Sequence, residues 1–156
     1  MTRINNLETL LSSDDTNESI IELDNFISEL CSYGENMDKL TEPQEQFYYN
    51  QCLEREINNG GFNQYFINSS GDFAHQTIQS LIAIGANTTA DILQKAINQF
   101  PDKKVPQDRD ERIEIVEQIE ETATEIWEEL DEKVFEYEDD LNTLNLSFVR
   151  QHKSDF

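Results

Sequence analysis

Residues 110–140 read DERIEIVEQIEETATEIWEELDEKVFEYEDD, and their spacing decides the fold. Apolar residues recur at steps of three and four rather than alternating, which predicts an amphipathic helix and not a strand. At 100° per residue, Ile113, Val116, Ile119, Ala123, Ile126, Trp127 and Leu130 fill an arc of roughly 140°, wide enough to pack on a core. Asp110, Glu111, Glu114, Glu117, Glu121, Glu125, Glu128, Glu129 and Glu132 occupy an arc of roughly 120° on the other side, with no Lys or Arg among them. One face is suited to burial and the other is anionic from end to end. Nine charges over about 33 Å of helix come close to the density of a DNA strand, which places about ten phosphates in that length.

A charge run is ordinarily a solvated helix face. Here the arc contains nine like-charge contacts at i,i+3 and i,i+4, each costing about 0.2 to 0.5 kcal/mol, so the face costs roughly 2 to 4 kcal/mol. Interspersed lysines would have solvated it without that repulsion. Solubility asks for a net charge of magnitude about 2 to 8 in a small domain, and this chain carries -22. Adaptation to high salt would spread acidity over the whole surface. Instead the net charge is -9 in residues 1–50, -2 in residues 51–100 and -11 from residue 101 onward. A field of this sign opposes direct binding to nucleic acid or anionic lipid and favours a basic partner.

Outward from this helix, the same period recurs along the chain, without alternating strand patterns or hairpin turns. Ile4, Leu7 and Leu11 suggest a short first helix expected to fray. The SSDDTN stretch offers caps for a helix with Ile20, Ile21, Leu23, Ile27, Leu30 and Cys31 on one side, ending near Gly34. Thr41 to Gln44 fits a capping box opening a helix through Phe47, Leu53 and Ile57, which Asn58-Asn59-Gly60-Gly61 ends. A short aromatic helix over Phe62–Ile67 follows, then a helix capped by Asp72 and closed by Gly85, and another from Thr88 or Thr89 to Phe100. A last helix passes through Leu141, Leu144, Phe148 and Val149. The expected fold is all-α, a compact single domain of about seven helices, with residues 1–16 as an N-terminal segment, 17–150 as the domain and 151–156 as a tail. Nine Phe, five Tyr and one Trp make its core aromatic-rich.

The chemistry of catalysis is sparse. Asp72 and His75 stand at i,i+3, but no second pair accompanies them, and His152 lies near the chain's end. Asp108 and Asp110 begin like a calcium loop that lacks its glycine and terminal glutamate. There is no glycine-rich phosphate loop, nucleophile elbow or CxxC. Cys31 and Cys52 are too few for a disulfide framework and are expected to be reduced and at least partly buried. No cofactor, no metal and no enzymatic activity are expected. No apolar run approaches a membrane span and no signal peptide is visible, so a cytoplasmic location is expected.

Residues 54–73, EREINNGGFNQYFINSSGDF, set polar side chains among Phe62, Tyr65 and Phe66 around two glycine turns. Such a mixture serves either as a buried network at a helix junction, with Asn58, Asn59, Gln64 and Asn68 satisfying freed backbone groups, or as a recognition surface. The pattern Glu56, Asn58, Asn59, Gly60, Gly61, Phe62, Gln64, Tyr65, Phe66, Asn68, Ser69, Ser70 and Gly71 resembles the signature of a bacterial domain family that includes a DNA-mimic protein. A weaker likeness runs through Ile84-Gly85-Ala86, Ala96-Ile97, Phe100-Pro101 and Leu130-Asp131, covering about residues 41–150. The resemblance implies an all-helical fold and, for the DNA mimic, a homodimer whose acidic surface occupies a transcription factor's DNA-binding face.

Charge pattern and resemblance together lead to one expectation: an inhibitor of transcription-regulating or nucleoid proteins, whose carboxylates replace phosphates in contacts to Arg and Lys. Glu114, Glu117, Glu121, Glu125, Glu128 and Glu132 are the candidate partner-binding residues. An immunity protein or antitoxin neutralising a cationic toxin would use the same face for steering. An enzyme of unrecognised chemistry is the third class, and titratable groups gathered in a pocket around His75 would mark it.

Overall fold

A computed structural model describes residues 2–156, and no strand occurs among them. Seven α-helices follow one another: α1 Leu7–Ser12, α2 Thr16–Leu30, α3 Glu42–Ile67, α4 Ala74–Ala83, α5 Asn87–Ile97, α6 Arg109–Phe135 and α7 Leu141–Gln151. Short 3-10 turns over Met37–Lys39, Ser69–Phe73, Pro101–Lys103 and Lys153–Asp155 join or end them.

Local caps set most helix starts. Asp15 accepts from the Glu18 N–H to open α2, and the capping box forms at α3, where Gln44 N–H donates to Thr41 Oγ1 and Thr41 N–H to Gln44 Oε1. Asp108 opens α6 and Asp140 opens α7 in the same way. Each cap satisfies one backbone donor that the first helical turn leaves free.

Two apolar clusters hold the helices together. One is built on the second half of α3 with α4, α5 and α6, and its centre is aromatic: Phe66 lies 4.8 Å from Phe100 and 5.1 Å from Trp127 between ring centroids. The Trp127 indole N–H donates to Ala96 O at 3.1 Å, so its one polar atom is satisfied inside the core. The other cluster gathers α1, α2, the first half of α3 and the end of α7 around Leu23, Ile27, Phe47 and Val149. Leu10 and Leu11 of α1 are buried in it, so the helix expected to fray is anchored. Phe156, expected in a tail, is buried with its ring 5.9 Å from that of Phe47, and Ile4 N–H donates to Phe156 O at 3.1 Å.

Candidate partner-binding surface

The 27 residues of α6 lie with Val116, Ala123, Trp127, Leu130 and Val134 buried against α3 and α5. The opposite face is the one the sequence marks as anionic. Asp110, Glu111, Glu114, Glu117, Glu121, Glu125, Glu128, Glu129 and Glu132 are all exposed, the six candidate partner-binding glutamates among them. Among the described residues, none of the nine side chains forms an ion pair or a hydrogen bond; the ion pairs are Arg55–Asp24, Arg112–Asp72 and Lys153–Glu8. One helix thus presents a row of uncompensated carboxylates in a fixed register.

Two side chains of α6 pin it to the region of the glycine motif. Arg112, fully buried, uses all five of its N–H donors. Nε bonds Phe66 O at 2.6 Å, Nη1 bonds Pro106 O and Gln107 O, and Nη2 bonds Asn68 O and the Asp72 carboxylate at 2.7 Å. Gly71 leaves the space for it, since a Cβ there would sit 2.7 Å from Arg112 Nε and 2.9 Å from Phe66 O. Toward the other end of α6, Asp131 accepts from the Phe62 N–H at 2.8 Å. That donor is free because Gly61 breaks α3 at φ 72°, ψ -170°, a conformation essentially confined to glycine. Burial pushes the Asp131 carboxyl above the usual carboxylate range, the Phe62 N–H opposes the shift and neighbouring Glu128 adds to it.

The motif residues divide between core and rim of this junction. Phe62, Tyr65, Phe66, Ser70 and Gly71 are buried, and Ser70 Oγ donates to Tyr65 O at 3.0 Å. Gln64 and Asn68 do not bond freed backbone through their side chains, as the sequence suggested; both amides donate to the Glu56 carboxylate, at 2.9 and 2.8 Å. Asn58 accepts from the Tyr137 hydroxyl, and Asn59, Gly60 and Ser69 are exposed. The backbone groups go to the distant Asp131 and Arg112 instead, because charged partners make the stronger hydrogen bonds. Asp72 is likewise no N-cap: α4 starts after Phe73 without a side-chain cap, and the Asp72 carboxylate balances Arg112. A third long-range carboxylate, Asp139, takes both the backbone N–H and the hydroxyl of Thr89 at the start of α5.

His75 serves a structural bond: its Nε2 accepts the Val105 N–H at 3.0 Å, tying the loop before α6 to α4. The cleft beside it, about 360 Å³, is lined by Asp72, Gln76, Gln79, Val105 and Gln107. A larger cleft of about 750 Å³ lies between α2 and α3, where Arg55 pairs with Asp24 at 2.6 Å above Cys52. No carboxylate of the α6 row lines it. Burial pushes the Cys52 thiol up to about 12, which leaves it neutral at physiological pH, and both cysteines are free. Among the described residues, no group of three or more His, Cys, Asp or Glu is placed to hold a metal ion, and no helix is long and apolar enough to cross a membrane.

A search against protein families matches residues 38–152 to the family described as DMP19-like protein. Neither the curated proteins nor the solved structures contain a match to the chain. The matched span begins after α2 and takes in the glycine motif, Arg112, Asp131 and the whole of α6.

Proposed function

The chain belongs to the DMP19-like protein family, and from that membership we propose that it is a DNA mimic: a non-enzymatic protein whose acidic surface binds a basic DNA-binding protein and blocks its access to DNA. The observation that carries this reading is the unpaired carboxylate row of α6. An acidic helix needed only for solubility would gain by pairing some of its charges along the helix, whereas a surface that replaces phosphates must leave them free for Arg and Lys. Carboxylates at helical spacing would displace the counterions of a phosphate-binding surface as DNA does, and binding would inherit the salt dependence of a DNA complex.

Reversal of Glu121, Glu125 and Glu128 to Lys tests the assignment. All three are exposed, so the helical spectrum and the folded state are expected to persist. If each charge contributes about 1 kcal/mol, binding of basic proteins retained from the native cell falls at least a hundredfold. Retention at wild-type affinity would remove the α6 row from the interface. A retained protein that is a cationic toxin without DNA-binding activity would point to an immunity function instead.

A further inference from the structure

Phe135 ends α6, and at 100° per residue it falls at about the same angle as Glu117, one step of three beyond Glu132. The periodicity of the row would place another carboxylate there; the chain places an aromatic ring that is 46% exposed. Tyr137 follows, also 46% exposed. It is held in place by a left-handed backbone with φ 50° and by its hydroxyl, which donates to Asn58 Oδ1 at 3.1 Å. Neither ring belongs to either apolar cluster of the fold. Two large rings are therefore kept at the surface, one of them in line with the carboxylates.

The geometry points to Phe135 as the apolar anchor of the acidic face: it receives an apolar or aromatic side chain at the edge of the basic partner's DNA-binding surface. This rests on the DNA-mimic reading and adds the partner's chemistry to it. Charge pairs steer association and select the sign of the partner, and a desolvated anchor adds affinity beyond the roughly 1 kcal/mol that each of them supplies. Desolvated aromatic contacts dominate most interfaces. Charge decides the occupant of this patch. Glu128, Glu132, Glu136 and Glu138, all exposed, precede and follow the two rings in the chain, and the one base among them, Lys133, falls about 160° round the helix from Phe135. A second copy of the chain meeting the patch by two-fold symmetry would bring these carboxylates against themselves. A cationic surface turns the same charges into attraction.

Two synthetic helical peptides test this, each carrying a row of Arg and Lys on one face and differing only in a terminal Trp or Ser beside the row. Wild-type protein is expected to bind the Trp peptide about tenfold or more tightly than the Ser peptide. Phe135→Ala should abolish that preference, leave the melting temperature unchanged and leave the slope of log affinity against log salt unchanged, since no charge is lost. Equal wild-type affinity for the two peptides would overturn the proposal, and so would a preference that survives Phe135→Ala. A wild-type dimer that the variant dissociates, seen by sedimentation, would overturn it too by making the patch a self-interface. Failure of the mimic reading would look different: the Trp preference would persist, while a basic DNA-binding protein retained by this chain would hold duplex DNA and the chain at once.

Discussion

Removing the Asp131 carboxylate should loosen the attachment of the acidic helix at the broken end of α3. In Asp131→Ala the Phe62 N–H, left without an acceptor in a half-buried site, costs about 1 to 3 kcal/mol. For a chain of this size each kcal/mol lowers Tm by about 2 to 4 °C, so the variant should melt about 2 to 12 °C below the wild type. Gly61→Ala adds a separate cost, because any other residue in that backbone conformation is strained by about 1 to 3 kcal/mol. Its Cβ would also collide with the Asp131 carboxylate and push it off the Phe62 N–H. The two substitutions therefore destroy one shared interaction. Together they should cost less than the sum of the separate losses, by about 1 to 3 kcal/mol. Chemical denaturation of the four proteins measures this coupling. Strictly additive losses would refute the claim that Asp131 caps the break at Gly61.

Arg112→Met should destabilise the fold by about 3 to 5 kcal/mol, since it leaves four backbone carbonyls and the Asp72 carboxylate without their donor; a loss under about 1 kcal/mol in urea unfolding would contradict that role. Burial pushes the carboxyls of Asp24, Glu45, Glu54 and Asp131 above their ordinary values. The folded state thus holds protons that the unfolded state releases. The associated stability is full below the unfolded pKa values near about 4 and is lost as pH rises through the raised folded values. Tm is expected to fall between about pH 5 and about pH 7.5, and a Tm that climbs across that window would contradict the direction.

What the sequence reveals is local, and what it hides is distant. The amphipathic period of α6, the Thr41–Gln44 capping box and the helix break at Gly61 all depend on residues within one or two helical turns, and all appear in the structure. The N-cap expected of Asp72 fails because Arg112 lies 40 residues away and, once buried, requires a counter-charge that outweighs a local cap. Asp131 and Asp139 read as more surface acidity, yet they serve backbone N–H groups 69 and 50 residues off. No spacing rule reaches that far. Gly61 held one hint: a glycine that ends a helix without starting a loop frees donors that some acceptor must meet. Phe135 stands in the sequence as an apolar residue at the end of an anionic row, a residue type that is ordinarily buried, so its exposure is visible only in the fold.

A DNA mimic and DNA occupy one surface of the same partner. Competition measures it directly: a basic DNA-binding protein retained by this chain at low salt is held at fixed concentration, and duplex DNA is titrated into the complex at several salt concentrations. DNA is expected to displace the chain completely, with mutually exclusive binding at every DNA concentration and an affinity that falls steeply with salt. A stable ternary complex of partner, DNA and this chain would contradict it.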